Sequence, residues 1–248
     1  MEIELWQLAI YFFGIAVIYS AAGFGGGSSY LALLAISGLP FQEIRMLALL
    51  CNIAVVTGSV YLTRKEGLLS SKRIIPLVLL SVPLSYLGGS LRISQDLYFD
   101  ILGVTLLIAS LIMLVITTDS AETSIKKLSK YSNGLIGGGI GFLSGLVGIG
   151  GGIFLSPILY ISKWGRAKTI AATTALFILV NSISGLTGQM YTHGWSIDSI
   201  RLIILLVAVF IGGQIGIRLT ISKLNPLVVR RITALVIMFV AIRLLFYS

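Results

Sequence analysis

Two glycine runs, Gly23–Gly27 and Gly148–Gly152, are the stretches of this sequence with the clearest chemical potential. Both have the pattern Gly-X-Gly-Gly-Gly, they lie 125 residues apart, and each interrupts a long apolar region. Consecutive glycines free the backbone to turn and destabilise a continuing helix by about 1 kcal/mol each relative to alanine. We therefore expect one helix to end before each run and another to begin after it. The first N–H groups of that new helix have no partner within it and carry about half a positive charge, which favours an anion.

The candidate binding residues fall into two groups: the glycine runs with the residues that follow them, and polar side chains on the next apolar segment. We predict that they hold an anion through backbone N–H, hydroxyl and amide groups: Gly25, Gly26, Gly27, Ser28, Ser29, Asn52, Gly150, Gly151, Gly152, Ile153, Thr173, Thr174 and Asn181. The alternative for the glycines is close helix packing, the role we expect for Gly137, Gly141 and Gly145 at their four-residue spacing. The alternative for each polar side chain is an ordinary hydrogen bond between helices.

Nothing in the sequence suggests catalysis. The segments contain no nucleophile beside a base, no paired carboxylates and no cluster of metal-ligating residues, so we predict no catalytic residue, metal or cofactor. The acidic residues all fall at segment ends or in loops. A carboxylate relay within the membrane, which is common in proton-coupled transporters, is therefore not expected.

The composition is that of an integral membrane protein. Hydrophobic residues make up 56% of the chain and charged residues 11%, with a mean hydropathy of +1.01, whereas a soluble domain has about 25% charged residues. The net charge of +9 lies in short loops, where membrane topology explains it better than nucleic-acid binding does. The expected partners are the lipid bilayer and a small anionic substrate.

The apolar segments occur in the same order twice, which predicts an all-α polytopic membrane protein built from two repeats. The first repeat, 1–118, holds segments 5–22, 28–39, 44–62, 74–91 and 97–117. A polar linker over 119–132 separates it from the second repeat, 133–248, whose segments are 133–147, 153–162, 169–191, 200–219 and 228–246.

Loop charge predicts that the repeats are inverted. If the two pieces flanking each glycine run enter and leave on the same side, one face collects 14 of the 18 basic residues, and the other keeps Arg45, Arg92, Arg201 and Arg243. If each pair were a single span, the faces would hold nine each. The positive-inside rule favours the first arrangement, with the basic loops cytoplasmic and both termini outside the inner membrane.

The segments that follow the glycine runs are too short to span a bilayer. At 1.5 Å per residue, 28–39 is about 18 Å long and 153–162 about 15 Å. Each repeat is therefore predicted to be a re-entrant, short helical hairpin, broken at its glycine run, followed by three transmembrane helices. Irregular backbone at membrane depth is tolerated inside protein or beside a polar cavity, and two inverted hairpins would bring the glycine runs together near the midplane, as in secondary transporters.

Several short motifs resemble the sulfite exporter TauE/SafE family. They are the doubled glycine runs, Ser156-Pro157, Ala172-Thr173-Thr174 and the stretch His193-Gly194-Trp195-Ser196-Ile197-Asp198. The resemblance covers essentially the whole chain and implies transport of sulfur-containing anions such as sulfite, sulfoacetate or related organosulfonates. The first repeat departs from the pattern, with Ala32-Leu33 and Leu47-Ala48-Leu49 at the corresponding places.

The expected function is an alternating-access carrier for a small sulfur-containing anion. An anion channel with the same pore is a second hypothesis, and a non-transporting membrane scaffold or assembly subunit is a third. The sequence leaves the particular anion, the direction of transport, the coupling ion and the oligomeric state open.

Overall fold

The computed structural model describes residues 4–21, 25–69, 71–115, 129–220 and 226–247. Over those ranges the chain forms ten α-helices and no β-strand. In chain order they are α1 Leu5–Ala21, α2 Gly27–Ala35, α3 Phe41–Lys65, α4 Ser71–Ser90, α5 Gln95–Val115, α6 Lys130–Val147, α7 Gly152–Ile161, α8 Ala167–His193, α9 Ser199–Thr220 and α10 Pro226–Tyr247. Every predicted segment is confirmed as a helix, with ends that differ by a few residues.

Parts of several predictions lie outside the described residues. In the first glycine run these are Gly23 and Phe24, in the predicted linker they are 119–128, and the predicted segments 5–22 and 97–117 lose residue 22 and residues 116–117. Residues 130–132 of that linker already belong to α6.

Among the described helices, α3, α4, α5, α8 and α9 are long and apolar enough to cross a membrane. With a rise of about 1.5 Å per residue, their lengths are comparable with the roughly 30 Å core of a bilayer. The helices that follow the two glycine runs are much shorter, since α2 has 9 residues and α7 has 10.

Large apolar side chains are exposed on the surface of the helices, and several polar side chains are buried among the apolar ones inside. Along α9, large hydrophobic side chains are exposed at Ile200, Ile203, Val207 and Phe210. Buried polar side chains with no exposed surface include Asn52, Thr173, Thr174, Asn181 and Ser182. A protein whose surface faces lipid has this distribution, because a bilayer solvates apolar groups and leaves polar groups to find partners within the protein.

Glycines bring two pairs of parallel helices into close contact. Three glycines of α6 face backbone carbonyls of α4 where a side chain would collide: Gly137 at Leu77, Gly141 at Ser81 and Gly145 at Ser85. This confirms the predicted packing role of that stripe. The helices α1 and α9 make the corresponding contact through Gly212 at Phe13 and Gly216 at Val17. In both pairs the residue numbers rise together, so the two helices run in the same direction.

The helices α3 and α8 meet in the interior and run in opposite directions. The beginning of α3 lies beside the residues that follow α8, where Ser196 Oγ donates to Met46 Sδ at 3.8 Å. Farther along α3, Asn52 lies beside Gly150, which also contacts Ser182 of α8. The helices α5 and α10 are antiparallel as well, because the first residues of α5 and the last residues of α10 line one surface pocket.

Candidate functional site

The helices α2 and α7 begin with the same backbone geometry. Each is preceded by a glycine in the left-handed region, Gly26 with φ 86° and ψ 0° and Gly151 with φ 80° and ψ −9°. Glycine adopts this conformation without the steric cost that a Cβ atom imposes. The Gly26 carbonyl accepts the N–H groups of Ser29 and Tyr30, both at 3.0 Å. The Gly151 carbonyl accepts those of the corresponding residues in α7, at 3.2 and 3.1 Å.

The free ends of both helices line one cavity. The N–H groups of Gly27 and Ser28 in α2, and of Gly152 and Ile153 in α7, precede the first helical hydrogen bond and so carry the positive end of each helix dipole. All four residues line a cavity of about 20 Å³. A cavity of about 10–15 Å³ by this measure holds one water molecule, so in this conformation the space between the two helix ends has room for about one water molecule.

The remaining lining comes from the glycine runs and the helices beside them. These residues are Tyr19, Gly25, Gly26, Asn52, Met113, Ile149 and Ile178. A Cβ atom at Gly27 would lie 2.5 Å from the Ile149 carbonyl oxygen. The two glycine runs are therefore in direct contact.

Asn52 lies between the two glycine runs. Its side chain is fully buried, and Nδ2 donates to the Ile149 carbonyl oxygen at 2.9 Å. Its Oδ1 has no hydrogen-bond partner. A Cβ atom at Gly25 would lie 2.5 Å from that oxygen, and one at Gly150 would lie 2.7 Å from Nδ2. The amide thus connects α3 to the second glycine run and keeps an unused acceptor beside the first.

One serine hydroxyl lies at the cavity, and further hydroxyl groups lie next to the residues that line it. Ser28 is 2% exposed and lines it, while Ser29 Oγ hydrogen-bonds to the hydroxyl of Tyr19. On α8, Thr174 packs its methyl group near Gly152, and its buried Oγ1 has no partner.

Ser182 is a polar residue at this site that sequence reasoning missed. Its buried Oγ has no partner and lies 2.9 Å from the position of a Cβ atom on Gly150. Thr174, Ile178 and Ser182 follow one another at four-residue spacing, so they share one face of α8. The four-residue spacing from Thr174 is the sequence signal that could have identified Ser182.

Thr173 and Asn181 are directed elsewhere by their hydrogen bonds. Thr173 Oγ1 donates to the Thr169 carbonyl at 2.8 Å, within α8. Asn181 Nδ2 donates to the Phe177 carbonyl at 2.8 Å. The backbone carbonyl of Asn181 accepts a hydrogen bond from Ser85 Oγ of α4, also at 2.8 Å. Neither residue is among those that line the cavity, and the same is true of four other predicted residues: Ser29, Gly150, Gly151 and Thr174. Their predicted part in binding stays a prediction.

Two further buried polar groups were not anticipated. The Tyr30 hydroxyl has no partner and lies 2.9 Å from the position of a Cβ atom on Gly26, and its ring stacks on Phe12 with a centroid distance of 4.6 Å. The second is Arg45. Counting Arg45 among the loop cations is wrong, because it lies in α3 with no exposed surface. In the sequence Arg45 lies near the end of a predicted segment, and this position does not reveal that neighbouring helices cover its side chain.

Comparison with known proteins assigns the chain to a family. The sequence pattern of the sulfite exporter TauE/SafE family matches residues 8–244. A protein of Sinorhizobium fredii described as "Probable membrane transporter protein y4hK" is 34% identical over 248 residues, covering 99% of this chain and 100% of the relative. A second relative, "Probable membrane transporter protein MJ0441" of Methanocaldococcus jannaschii, is 34% identical over 94 residues, covering 35% of this chain and 34% of its own.

No solved structure matches the chain significantly. The family match spans nearly the whole sequence, and the long apolar helices are those of a multi-pass membrane protein. The chain therefore belongs to the sulfite exporter TauE/SafE family of membrane transporters.

Proposed function

We propose that this protein is an alternating-access carrier that binds a small sulfur-containing anion, such as sulfite, sulfoacetate or another organosulfonate, between the N-termini of α2 and α7. The observation that carries the proposal is the shared cavity, which is lined by the first residues of both helices, whose N–H groups have no partner within their own helix. Each helix end contributes about half a positive charge, so two facing ends favour an anion.

The side chains around the cavity suit the oxygens of such an anion. The Ser28 hydroxyl can donate a hydrogen bond, and so can the second N–H of Asn52 Nδ2, whose first N–H is held by the Ile149 carbonyl; the hydroxyls of Thr174 and Ser182 lie buried and unpartnered nearby. Hydrogen bonds to an ionised acceptor are about twice as strong as neutral ones. In the binding conformation we expect the cavity to widen beyond its present water-sized volume, as the two glycine runs separate.

The carrier mechanism rests on two inverted repeats, α1–α5 and α6–α10. The helix directions support this arrangement, since α3 and α8 occupy the same place in each half and run oppositely, as do α5 and α10. The glycine contacts support it too, because α1 packs along α9 as α6 packs along α4. In such an architecture the two repeats rock about a central site.

The proposed orientation places the basic loops in the cytoplasm and both termini outside the inner membrane. Contacts between distant loops support it. Arg73 at the start of α4 stacks on Trp164, with 4.1 Å from its guanidinium carbon to the ring centroid, and donates to the Trp164 carbonyl. This joins the basic loop before α4 to the basic loop before α8 on one side of the molecule, and the positive-inside rule makes that side cytoplasmic.

The test is transport by purified protein in liposomes. We expect radiolabelled sulfite or sulfoacetate to enter protein-containing vesicles with saturable kinetics, and unlabelled anion on the inside to accelerate that entry. Protein-free liposomes control for leakage. Conductance proportional to voltage, without acceleration by internal anion, would identify an anion channel instead. No flux together with no anion-dependent rise in melting temperature would contradict anion binding and favour the scaffold.

A further inference from the structure

Arg45 is a fully buried cation whose hydrogen bonding is incomplete. Nη2 donates to the carbonyl of Gly145 at 3.3 Å and to that of Gly89 at 3.4 Å. Both distances exceed the usual N–H···O range of about 2.7–3.2 Å. Nε and Nη1 are buried without any partner, so three of the five guanidinium N–H donors have no acceptor.

Among the described residues no carboxylate forms an ion pair with Arg45. Within the described residues the one ion pair joins Glu43 to Arg201, so the carboxylate nearest to Arg45 along α3 is already engaged. The guanidinium carbon lies 5.7 Å from the ring centroid of Tyr98, whose hydroxyl donates to the Val147 carbonyl at 3.1 Å. Carbonyls near helix C-termini and an aromatic face attract a cation weakly, whereas burial of an unpaired charge is strongly unfavourable.

The position of Arg45 connects it to the cavity. Arg45 and Asn52 are seven residues apart on α3, so they share one face of the helix at a separation of about 10 Å along its axis. A Cβ atom on Gly148, the first residue of the second glycine run, would lie 3.2 Å from both Cα and the carbonyl oxygen of Arg45. Arg45 is therefore packed against the second glycine run, on the side towards the start of α3.

We propose that Arg45 forms an anion subsite on the path between the cavity and the membrane face at which α3 begins. The inference rests on the proposed function, because the ligand is the same small oxyanion or sulfonate. Its oxygens accept the free N–H groups of Arg45, and the two long bonds to Gly89 and Gly145 give way as α3 moves relative to α4 and α6. The guanidinium then supplies the full positive charge that the helix ends and amide of the cavity lack.

A purely structural role makes different predictions from an anion subsite. As a brace, Arg45 would hold α3 to α4 and α6, and its loss would lower stability without changing which anions bind. As a subsite, its charge would contribute more to binding a dianion than a monoanion. The relative affinities for sulfoacetate, which is divalent at neutral pH, and for monovalent methanesulfonate therefore separate the two roles.

The experiment compares Arg45→Met, Arg45→Lys and the control Arg92→Met in the full-length protein. Arg92 is an exposed arginine just beyond α4 that donates to the Thr192 carbonyl at 3.4 Å, so its replacement removes a surface charge at the same end of the bundle without removing a buried donor. We expect Arg45→Met to raise the half-saturating sulfoacetate concentration about thirtyfold, as loss of hydrogen bonds from a charged donor does. The same variant should weaken methanesulfonate binding by a much smaller factor. We expect Arg45→Lys to recover most of the sulfoacetate affinity and Arg92→Met to match the wild type.

Unchanged affinity and selectivity in Arg45→Met would overturn the subsite while leaving the carrier intact. If that variant does not fold, Arg45→Lys is compared with Arg45→Gln, and equal sulfoacetate affinity in those two variants would reject a role for the charge. Wild-type protein that neither binds nor transports any of these anions would instead contradict the proposed function itself. The two failures are therefore distinguishable.

Discussion

The two glycine runs have nearly the same backbone geometry but different side chains around them. Gly26 and Gly151 adopt matching left-handed conformations, and each caps a short helix whose first N–H groups line the cavity. At the first run the helix begins with Gly27-Ser28-Ser29, whereas at the second it begins with Gly152-Ile153-Phe154. The backbone donors are therefore duplicated, and the hydroxyls that accompany them are not.

The second run obtains its polar neighbours from other helices. Asn52 of α3 donates to the Ile149 carbonyl, and the buried hydroxyls of Thr174 and Ser182 lie beside it on α8. This difference indicates that the backbone supplies what both halves share, a positive helix end, while the side chains make the two sides unequal. Substitutions at matched positions can test this division.

The largest effect on transport is expected for Gly27→Ala, and Gly152→Ala is its matched comparison in the second run. A Cβ atom at Gly27 would lie 2.3 Å from Asn52 Nδ2 and 2.5 Å from the Ile149 carbonyl oxygen, so the two runs could no longer close on each other and the transport cycle would lose this closed conformation. At Gly152 it would meet Cδ1 and Cγ1 of Ile178 at 2.3 and 2.6 Å, and this side chain can change rotamer where a backbone carbonyl cannot. Since overpacking a close contact costs about 1–3 kcal/mol, we expect Gly27→Ala to lower the rate of uptake into proteoliposomes about ten- to hundredfold. Gly152→Ala should stay within a few-fold of the wild type, and equal losses would show that the runs are sterically equivalent.

The next effect concerns the two buried asparagines. Asn52→Leu removes the hydrogen bond to Ile149 and leaves that buried carbonyl unpaired, at a cost of about 1–3 kcal/mol. We expect the half-saturating anion concentration for uptake to rise about tenfold, because the same amide faces the cavity.

Asn181→Leu is the matched control for this substitution. It removes a hydrogen bond within α8, so we expect lower thermal stability with little change in half-saturation. A larger transport defect in Asn181→Leu than in Asn52→Leu would reverse the assignment and favour direct binding by Asn181.

The smallest effect is expected at Ser28. Ser28→Ala removes one hydroxyl at the cavity, and a neutral hydrogen bond contributes about 0.5–1.5 kcal/mol, so we expect about a threefold rise in half-saturating anion concentration. Ser162→Ala is the control, because its Oγ donates to the Leu159 carbonyl at the opposite end of α7. Identical kinetics in the two variants would mean that the first run binds through its backbone alone.

Most of the helical framework was predictable from the sequence, because helix length and helix breaks depend on local properties. Apolar runs marked the ten helices, and the glycine runs marked the places where α2 and α7 begin. The stripe of Gly137, Gly141 and Gly145 was also predictable, since four-residue spacing places small residues on one helix face.

The side-chain shell was less predictable, because it depends on how each helix is rotated against its neighbours. Asn181 and Ser182 are adjacent in sequence but lie about 100° apart around α8, given 3.6 residues per turn. Sequence reasoning favoured the amide, whereas the packing turns the serine towards Gly150. Arg45 illustrates the same limit, because a cation near a segment end is buried here by α4, α5 and α6.

The sequence by itself determined that there are two short helices with free N-termini, because glycine's conformational freedom and the length of an apolar run are local properties. Only the tertiary structure decided that Gly27 contacts Ile149 across some 120 residues of chain, and that Asn52 connects α3 to the second run. It also decided which buried polar atoms have no partner. Those outcomes depend on the antiparallel packing of α3 against α8, since a shift or rotation of either helix would exchange the groups that face the cavity.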